Sequence, residues 1–225
     1  MKKLLRYGVD APVITWTSVI LGIILILFDY DFSWLLGILL LLLAVIIMAY
    51  TIRKYTWVQN IIRHLDLRTA SKILDVGTGK DFFLTHVTKA AGPVAFVTGI
   101  ESKNQYVINK ARKNAKKEHV NNRINVIHGD VRHLPFPNDS FNLITAMDTK
   151  DSFMDDRDTE DVHQIYHEII RVLKQYGSFV LVSNQKNVNR IYNYLDTLDG
   201  IQVKRSHTTS KFDILHWGEL TLKKE

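Results

Sequence analysis

Two long apolar runs near the start of the chain constrain its fold more than any other feature. They cover residues 11–28 and 32–50, and only Asp29-Tyr30-Asp31 separates them. As helices, each would be about 27–29 Å long, which matches the ~30 Å hydrocarbon core of a bilayer. So short an acidic turn leaves room only for antiparallel helices. We therefore predict a hairpin of two transmembrane helices in residues 1–50.

The residues that flank this hairpin predict its orientation. Basic side chains precede it at Lys2, Lys3 and Arg6 and follow it at Arg53 and Lys54, whereas the turn has none. Because Lys and Arg accumulate on the cytoplasmic side of a membrane, both ends of the hairpin are expected there. This pattern predicts a two-pass protein of the cell membrane whose remaining residues lie in the cytoplasm.

Two other interpretations of the apolar runs remain open. The first run could be a signal peptide, but no small-residue cleavage site follows it and the second run begins at once. The pair could instead be buried in a soluble core, but residues 38–48 are almost unbroken in their apolar character. The membrane hairpin is favoured over both.

Residues 51–69 have the pattern of an amphipathic linker helix. Apolar side chains recur there at helical spacing, at Tyr55, Val58, Ile61, Ile62 and Leu65. Basic residues on the same segment could contact lipid headgroups, or the helix could pack on the domain that follows. Both interpretations fit the pattern.

Composition excludes several kinds of site and disfavours one kind of partner. The chain has no cysteine, which excludes disulfides, thiolate zinc sites and a catalytic cysteine. The formal net charge is +6, and basic chains can bind nucleic acid. Here the basic residues either flank the apolar runs, where they suit anionic headgroups, or are scattered among acids. We therefore expect a membrane, and no nucleic acid, as partner.

Beyond residue 70 the sequence alternates between strand and helix patterns. Strands are predicted over residues 72–76, 94–100, 124–128, 141–147, 178–183, 201–206 and 213–222. Helices are predicted over residues 82–91, 105–117, 159–173 and 188–198. This alternation is typical of an α/β fold with a mostly parallel sheet, here of seven strands. Since only residues 208–211 join the last two strands, these should form an antiparallel hairpin at one edge.

A glycine-rich turn follows the first predicted strand, in the sequence Asp75-Val76-Gly77-Thr78-Gly79. Glycine lets a backbone adopt positive φ and approach a ligand closely, and the start of the next helix offers free N–H groups. Glu101 ends the second strand, and Asp130 follows the third. Because open α/β sheets bind ligands at the carboxyl ends of their strands, these acids predict a cofactor site there.

The same turn argues against a dinucleotide. A dinucleotide fingerprint needs a third glycine three residues after Gly79, and that position is Phe82. Since the third glycine allows the close helix packing that a pyrophosphate requires, a cofactor without phosphates fits better. An NAD-dependent dehydrogenase is a disfavoured alternative.

These motifs together resemble those of the class I S-adenosylmethionine-dependent methyltransferases. The resemblance implies a Rossmann-like domain over residues 70–225 that uses S-adenosyl-L-methionine as its cofactor. It places the glycine turn beneath the methionine part, Glu101 at the ribose hydroxyls and Asp130 at the adenine. The cofactor-binding residues that it implies are Asp75, Gly77, Thr78, Gly79, Glu101, Ser102, Asp130 and Val131.

Two further segments carry the resemblance, and two positions depart from it. Residues 134–144 resemble the segment that enters the fourth strand of these enzymes, above all of quinone and sterol methyltransferases, and residues 168–177 resemble the turn into their fifth strand. Lys80-Asp81 stands where the family has a third glycine or another small residue, and Gln175-Tyr176 stands where it has Pro-Gly. The first departure bears on how the cofactor is held.

The residues after the fourth predicted strand are the candidates for the substrate end of the site. Methyl transfer from a sulfonium is an in-line displacement, so the protein mainly aligns the reacting atoms. A general base is needed only if the acceptor must lose a proton. In the family that this chain resembles, the end of this strand faces the methyl group, which makes Asp148 the candidate catalytic residue, followed by Lys150 and Asp151. The alternative is that Asp148 is a helix cap or a loop acid beside the acidic stretch of residues 151–161.

Metal and nucleic-acid chemistry are not predicted. His163 and His167 have a spacing that can hold a metal, but no third ligand is evident in the sequence. The chain also lacks the Asn-Pro-Pro-Tyr type of sequence that methyltransferases acting on DNA bases carry.

The sequence as a whole predicts a membrane-anchored methyltransferase that acts at the cytoplasmic face. Its acceptor is expected to be a lipophilic small molecule, such as a quinone precursor or a lipid, and a membrane protein is a possible partner. The alternative is a non-catalytic sensor or scaffold that binds S-adenosylmethionine at the membrane.

Overall fold

The computed structural model describes residues 12–27, 33–65, 67, 70–78, 82–102, 105–147, 159–207 and 217–224. The chain divides into two compact units, residues 1–65 and residues 66–225. Each unit is described by itself.

The first unit is a pair of helices, α1 (Pro12–Leu27) and α2 (Ser33–His64). Small or weakly polar residues lie between them, including Thr15, Ser18 and Gly22 on α1 and Gly37 on α2. A Cβ on Gly22 would come within 2.9 Å of Gly37 O, so the helix backbones approach closely. Large apolar side chains point outward instead, and Val13 is 74% exposed.

Helix α2 is long and apolar enough to cross a membrane over Ser33–Arg53, whereas α1 as described has 16 residues. At 1.5 Å per residue, α1 spans about 24 Å, which is shorter than the hydrocarbon core. One candidate span is therefore found among the described residues, and the predicted pair stays a prediction. Helix α2 also runs without a break through Tyr50, so the second apolar run and most of the linker segment form one helix.

The second unit is built on one seven-stranded sheet. Its strands are β1 (Lys72–Val76), β2 (Phe96–Glu101), β3 (Ile124–His128), β4 (Phe141–Met147), β5 (Leu173–Asn184), β6 (Ile201–His207) and β7 (Trp217–Lys224). Their order across the sheet is β3-β2-β1-β4-β5-β7-β6. The first five strands in this order run parallel, and β7 pairs antiparallel with both β5 and β6. The predicted sheet and its antiparallel final hairpin are confirmed.

Four helices follow strands in the pattern that the sequence predicted. They are α3 (Phe82–Ala90), α4 (Gln105–Lys117), α5 (Thr159–Val172) and α6 (Gln185–Leu195). The apolar face predicted for α5 is buried, since Val162, Ile165, Ile169 and Val172 all belong to the main core. Each of these side chains is spaced three or four residues from the next, so the helical period alone places them on one face.

Strand β5 begins earlier than predicted because its start is bulged. Phe141 pairs with Leu173, but Leu143 already pairs with Ser178, so β5 carries extra residues opposite β4. Within this bulge Tyr176 has a φ of 59°. A Cβ on Gly177 would lie 2.7 Å from Lys174 O, so the bulge needs glycine at position 177. At the other end of the sheet, β7 is described from Trp217, and residues 213–216 of the predicted strand lie outside the described residues.

Candidate cofactor site

The candidate site lies at the carboxyl ends of β1, β2, β3 and β4, an edge that we call the carboxyl rim. Strands β1 and β4 are neighbours in the sheet, although β2 and β3 come between them in the chain. The strand order therefore reverses at β1, and crevices form at such points in open α/β sheets. The predicted site residues Asp75, Glu101 and Asp130 all lie at or next to strand ends on this rim.

The turn after β1 is held against β2 by backbone hydrogen bonds. Gly77 has a φ of 70°, a conformation that favours glycine. Its N–H donates to Ile100 O over 2.9 Å, and the N–H of Thr78 donates to the same oxygen over 3.3 Å. The first part of the predicted glycine turn thus has a defined backbone, whereas Gly79, Lys80 and Asp81 lie outside the described residues.

A second glycine, Gly99 on β2, makes room for this turn. A Cβ at Gly99 would overlap the Oγ1 atom of Thr78. Thr78 is buried, and its hydroxyl donates to Asp75 O over 3.0 Å. The side chain of Thr78 therefore locks the turn to β1 only because position 99 has no side chain.

Asp75 is buried inside the rim and is bound by a neighbour that the sequence analysis did not identify. The side chain of Thr145 on β4 donates from Oγ1 to Asp75 Oδ1 over 2.8 Å. Asp75 is 2% exposed and Thr145 is fully buried. The two residues are aligned in the pairing of β1 with β4. A signal for Thr145 was present, because it is a polar residue in the middle of a strand whose other residues, apart from Asn142, are apolar.

Burial raises the pKa of Asp75 from 3.8 to about 7. The hydroxyls of Thr145 and Thr78 oppose this by stabilising the carboxylate, and the negative charge of Glu101 raises the pKa further. A carboxyl group with such a pKa changes its charge near neutral pH. It would be held in the ionised form by a nearby cation.

Glu101 is the second buried acid of the rim, with 3% of its surface exposed. Its backbone oxygen accepts from the N–H of Gly129 over 3.2 Å, which ties the end of β2 to the turn after β3. A Cβ on Gly129 would lie 2.7 Å from Ile100 Cδ1, so this turn too packs closely. Two buried acids at adjacent strand ends create a negative site that favours a positively charged ligand.

Asp130 is bound by an arginine, which the sequence analysis did not anticipate. Arg132 donates from Nε and Nη2 to the carboxylate, with an Nη2 to Oδ2 distance of 2.6 Å, and its backbone N–H donates to Oδ1 over 2.9 Å. Arg132 also reaches Asp161 on α5 over 3.2 Å. An adenine amino group would therefore have to share the acceptor positions of Asp130 with Arg132.

The remaining predicted site residues differ in how the structure places them. Ser102 follows β2 and is exposed at the rim. Val131 is 2% exposed and belongs to the hydrophobic core, so its side chain packs inward. The predicted catalytic residue Asp148 lies outside the described residues, as do Lys150 and Asp151.

The segment before β4 is anchored by an ion pair on α5. Glu168 accepts from Arg171 and from the N–H of Leu134, over 2.6 and 2.7 Å. Arg171 also donates to the carbonyl oxygens of Leu134 and Phe136, over 3.0 and 2.8 Å. The hydrogen bonds from Arg171 keep the pKa of Glu168 below its usual value. The two segments that carry the family resemblance are thus joined directly.

The two histidines with metal-like spacing have an aromatic partner instead. The ring of His163 stacks on Tyr194 with centroids 3.7 Å apart, and the Tyr194 hydroxyl lies 3.0 Å from His167 Nε2. In the part of the chain that the structure describes, no group of three or more His, Asp or Glu could hold a metal ion.

A family model described as a methyltransferase domain matches residues 67–217. The chain belongs to this methyltransferase family. The match covers the whole carboxyl rim and confirms the enzyme class predicted from the sequence. The predicted cofactor, S-adenosyl-L-methionine, fits this family, and a solved methyltransferase with the same fold is named for its dependence on that cofactor.

Two curated relatives are named for lipophilic substrates. A demethylmenaquinone methyltransferase of Staphylococcus haemolyticus is 30% identical over 131 residues, which are 58% of this chain and 50% of that protein. A sterol 24-C-methyltransferase of Gibberella zeae is 30% identical over 116 residues, 52% of this chain and 28% of that protein. The chain thus spans half or less of the length of these relatives.

Solved structures show the same fold at lower sequence identity. A SAM dependent methyltransferase from Aquifex aeolicus has a TM-score of 0.60 and 16% identity, and the match covers 75% of this chain and 89% of that one. At this identity, the likeness concerns the fold alone. It supports the Rossmann-like architecture inferred from the strand order.

Proposed function

We propose that this chain is a membrane-anchored methyltransferase that uses S-adenosyl-L-methionine and acts at the cytoplasmic face on a lipophilic acceptor. The observation that carries the proposal is the pair of buried acids, Asp75 and Glu101, behind the Gly77 turn. A site of this kind fits a ligand that is positively charged and has no phosphate.

The residues of the rim have distinct roles in this proposal. When bound, S-adenosyl-L-methionine supplies a methyl group on a positively charged sulfur. The Gly77 turn lets the backbone approach the methionine part, and Glu101 offers acceptors to the ribose hydroxyls. Asp75 provides negative charge, and Thr145 holds its carboxylate in place. The chain thus aligns the reacting groups and stabilises positive charge, which is what an in-line displacement requires.

Three observations support a lipophilic acceptor and a membrane anchor. Two relatives are named for demethylmenaquinone and for a sterol as substrates, and the sequence of residues 134–144 resembles the corresponding segment of such enzymes. In the apolar helix pair, small residues face inward and large apolar residues face outward. Only 17% of the Ser33–Arg53 window is buried, whereas the core helix of a soluble protein is mostly buried.

A transfer assay tests the activity and the acceptor class together. The full chain in membranes is incubated with cofactor labelled on its methyl group, and lipids, proteins and small molecules are then separated. We expect label in the lipid fraction. Asp148→Asn should retain cofactor binding in calorimetry and lose transfer, whereas Glu101→Gln should lose both. Label confined to the protein fraction would contradict the lipophilic acceptor.

The alternative, a membrane-bound sensor of S-adenosylmethionine, is favoured by Lys80-Asp81, which replaces the small residues usual in this family. The same assay separates the two functions. Cofactor binding with no label in any fraction would favour the sensor. Carbonate extraction tests the anchor separately, since a hairpin that spans the bilayer stays in the membrane pellet.

A further inference from the structure

Helix α4 concentrates positive charge on its solvent side. The basic residues outside the apolar runs were expected to be scattered among acids, but five of them lie on this helix, which has no acid: Lys110, Arg112, Lys113, Lys116 and Lys117. The opposite side of the helix faces the sheet, because Ile108, Ala111, Asn114 and Ala115 are buried. The charge is therefore displayed on one face of an amphipathic helix.

Within the part of the chain that the structure describes, some of the basic residues near α4 have internal partners and others have none. Arg112 Nη2 donates to Val126 O over 2.6 Å, and Lys89 at the end of α3 pairs with Glu118. Lys113, Lys116 and Lys117 are exposed. These three lysines carry the charge that a partner would meet.

An aromatic residue begins the same face. Tyr106 lies in the first turn of α4 and is 70% exposed. Tyrosine has an apolar ring and a polar hydroxyl, and it is enriched at the level of lipid headgroups. Tyr106 lies five residues after Glu101, so the face starts next to the carboxyl rim.

We propose that this face of α4, from Tyr106 to Lys117, lies on anionic phospholipid headgroups. The inference rests on the proposed membrane anchor, because tethering gives the domain a high effective concentration at the bilayer surface. Charge complementarity then selects this face, since lysines close to an anionic leaflet are attracted to it. By contrast, α5 carries Glu160 and Asp161 in its first turn.

The orientation has a consequence for the acceptor. Docking along α4 brings Ser102 and the carboxyl end of β2 close to the headgroups. A lipid whose reactive group lies at headgroup level could then reach the rim without leaving the bilayer. The α4 face would in this way select acceptors by their depth in the membrane.

The absence of cysteine from the chain allows a site-specific test. The full chain carrying Asn109→Cys, labelled with an environment-sensitive fluorophore, is placed in nanodiscs of phosphatidylcholine alone or mixed with phosphatidylglycerol. We expect a blue shift in the mixed discs only, which high salt reverses because it shortens the screening length to about 3 Å at 1 M. Tyr176→Cys, at an exposed position of the β5 bulge, should show no shift.

A charge series provides matched controls. The triple variant Lys113→Gln, Lys116→Gln, Lys117→Gln should lower the ratio of docked to undocked domain roughly a hundredfold, since each lysine contributes about fivefold. Lys186→Gln, Lys204→Gln, Lys223→Gln removes three exposed lysines elsewhere and should leave the shift intact. Equal effects of the two triple variants would overturn the proposal.

Other outcomes also decide the question. No shift in the anionic discs, or a shift produced by duplex DNA and not by lipid, overturns the α4 surface. A chain that stays outside the discs disproves the membrane anchor instead. In that case the label's response to anionic vesicles added from outside still decides whether α4 binds them.

Discussion

Thr145 and Asp75 meet across β4 and β1, where the Thr145 hydroxyl donates to Asp75 Oδ1 over 2.8 Å. The pair joins two segments that are 70 residues apart in the chain. Both side chains are buried, so bulk water has little access to the pair. Burial raises the pKa of Asp75 to about 7 and the hydrogen bond from Thr145 opposes this rise, so the charge of Asp75 near neutral pH depends on both.

Asp75→Asn should flatten the dependence of stability on pH. An unperturbed aspartate has a pKa of 3.8, and that of Asp75 in the folded chain is about 7, so between these values the folded state binds the extra proton. The stability that the folded state gains by binding this proton is fully present below pH 4. It is lost as the pH rises to 7, and the total loss is about 4 kcal/mol. Asparagine stays neutral, so the variant should unfold at a higher temperature than the parent at pH 8 and at a similar temperature at pH 4. Thermal unfolding of the full chain in detergent, followed by circular dichroism, measures this; an unchanged pH slope would contradict it.

Thr145→Val should shift the pH profile of cofactor binding. Valine has the same shape but cannot donate to the carboxylate, so ionised Asp75 loses a charge-assisted hydrogen bond and its pKa rises further. We expect the Kd for S-adenosylmethionine to rise about tenfold at pH 7, with recovery at higher pH. Thr145→Ser keeps the hydroxyl and should bind like the parent. Calorimetric titrations from pH 6 to pH 9 distinguish this role from a structural one, which would weaken binding equally at every pH.

Gly99→Ala should disrupt the turn that follows β1. The new methyl group would overlap Thr78 Oγ1 and displace the hydroxyl from Asp75 O. Overpacking of this kind costs about 1–3 kcal/mol, and we expect cofactor affinity to fall with stability. Gly92→Ala is the matched control, because a Cβ at Gly92 would meet nothing within 4 Å. Adding Thr78→Ala to Gly99→Ala should restore part of the stability; if it does not, the overlap is not the cause.

Tyr176→Gly should stabilise the domain. Tyr176 is 80% exposed and has a φ of 59°, so its side chain gains little from packing while its backbone is strained. Glycine adopts this left-handed conformation without the strain that a Cβ causes, so the free energy of unfolding should rise by about 1 kcal/mol. For a chain of this length, that corresponds to an increase of roughly 2–4 °C in Tm. Gln175→Gly, at an exposed neighbour without positive φ, should lower Tm instead. A lower Tm for Tyr176→Gly would show that the ring makes a contact that outweighs the strain.

Much of the second unit could be predicted because its signals are local. The bounds of β1, β3, β4 and α4 agree with the sequence patterns, and the family motifs located Asp75, Glu101 and Asp130 at the rim. The bulge at the start of β5 was missed because Leu173 continues the helical apolar pattern of α5. In the structure it pairs with Phe141 instead. Leu173 fits the apolar spacing of a helix and also that of a strand. For such a residue, only pairing with a neighbouring strand decides between the two.

The interactions at the rim could not be predicted in the same way. Nothing near Asp130 in the sequence shows that Arg132 folds back onto it rather than pointing into solvent, or that α5 brings Asp161 to the same guanidinium. For the first unit, hydropathy located the apolar runs. The close approach of Gly22 to Gly37 follows from how the two helices pack.

Periodicity and turn chemistry belong to the chain itself, so most of the strands and helices, the Gly77 turn and the acids at the strand ends were determined by the sequence alone. Tertiary structure decided that β4 lies beside β1, and with it that Thr145 binds Asp75 and that the pKa of this acid rises to about 7. The reason is that hydrogen bonding and burial depend on which distant segments pack together, and that choice is made by the whole core rather than by any local stretch.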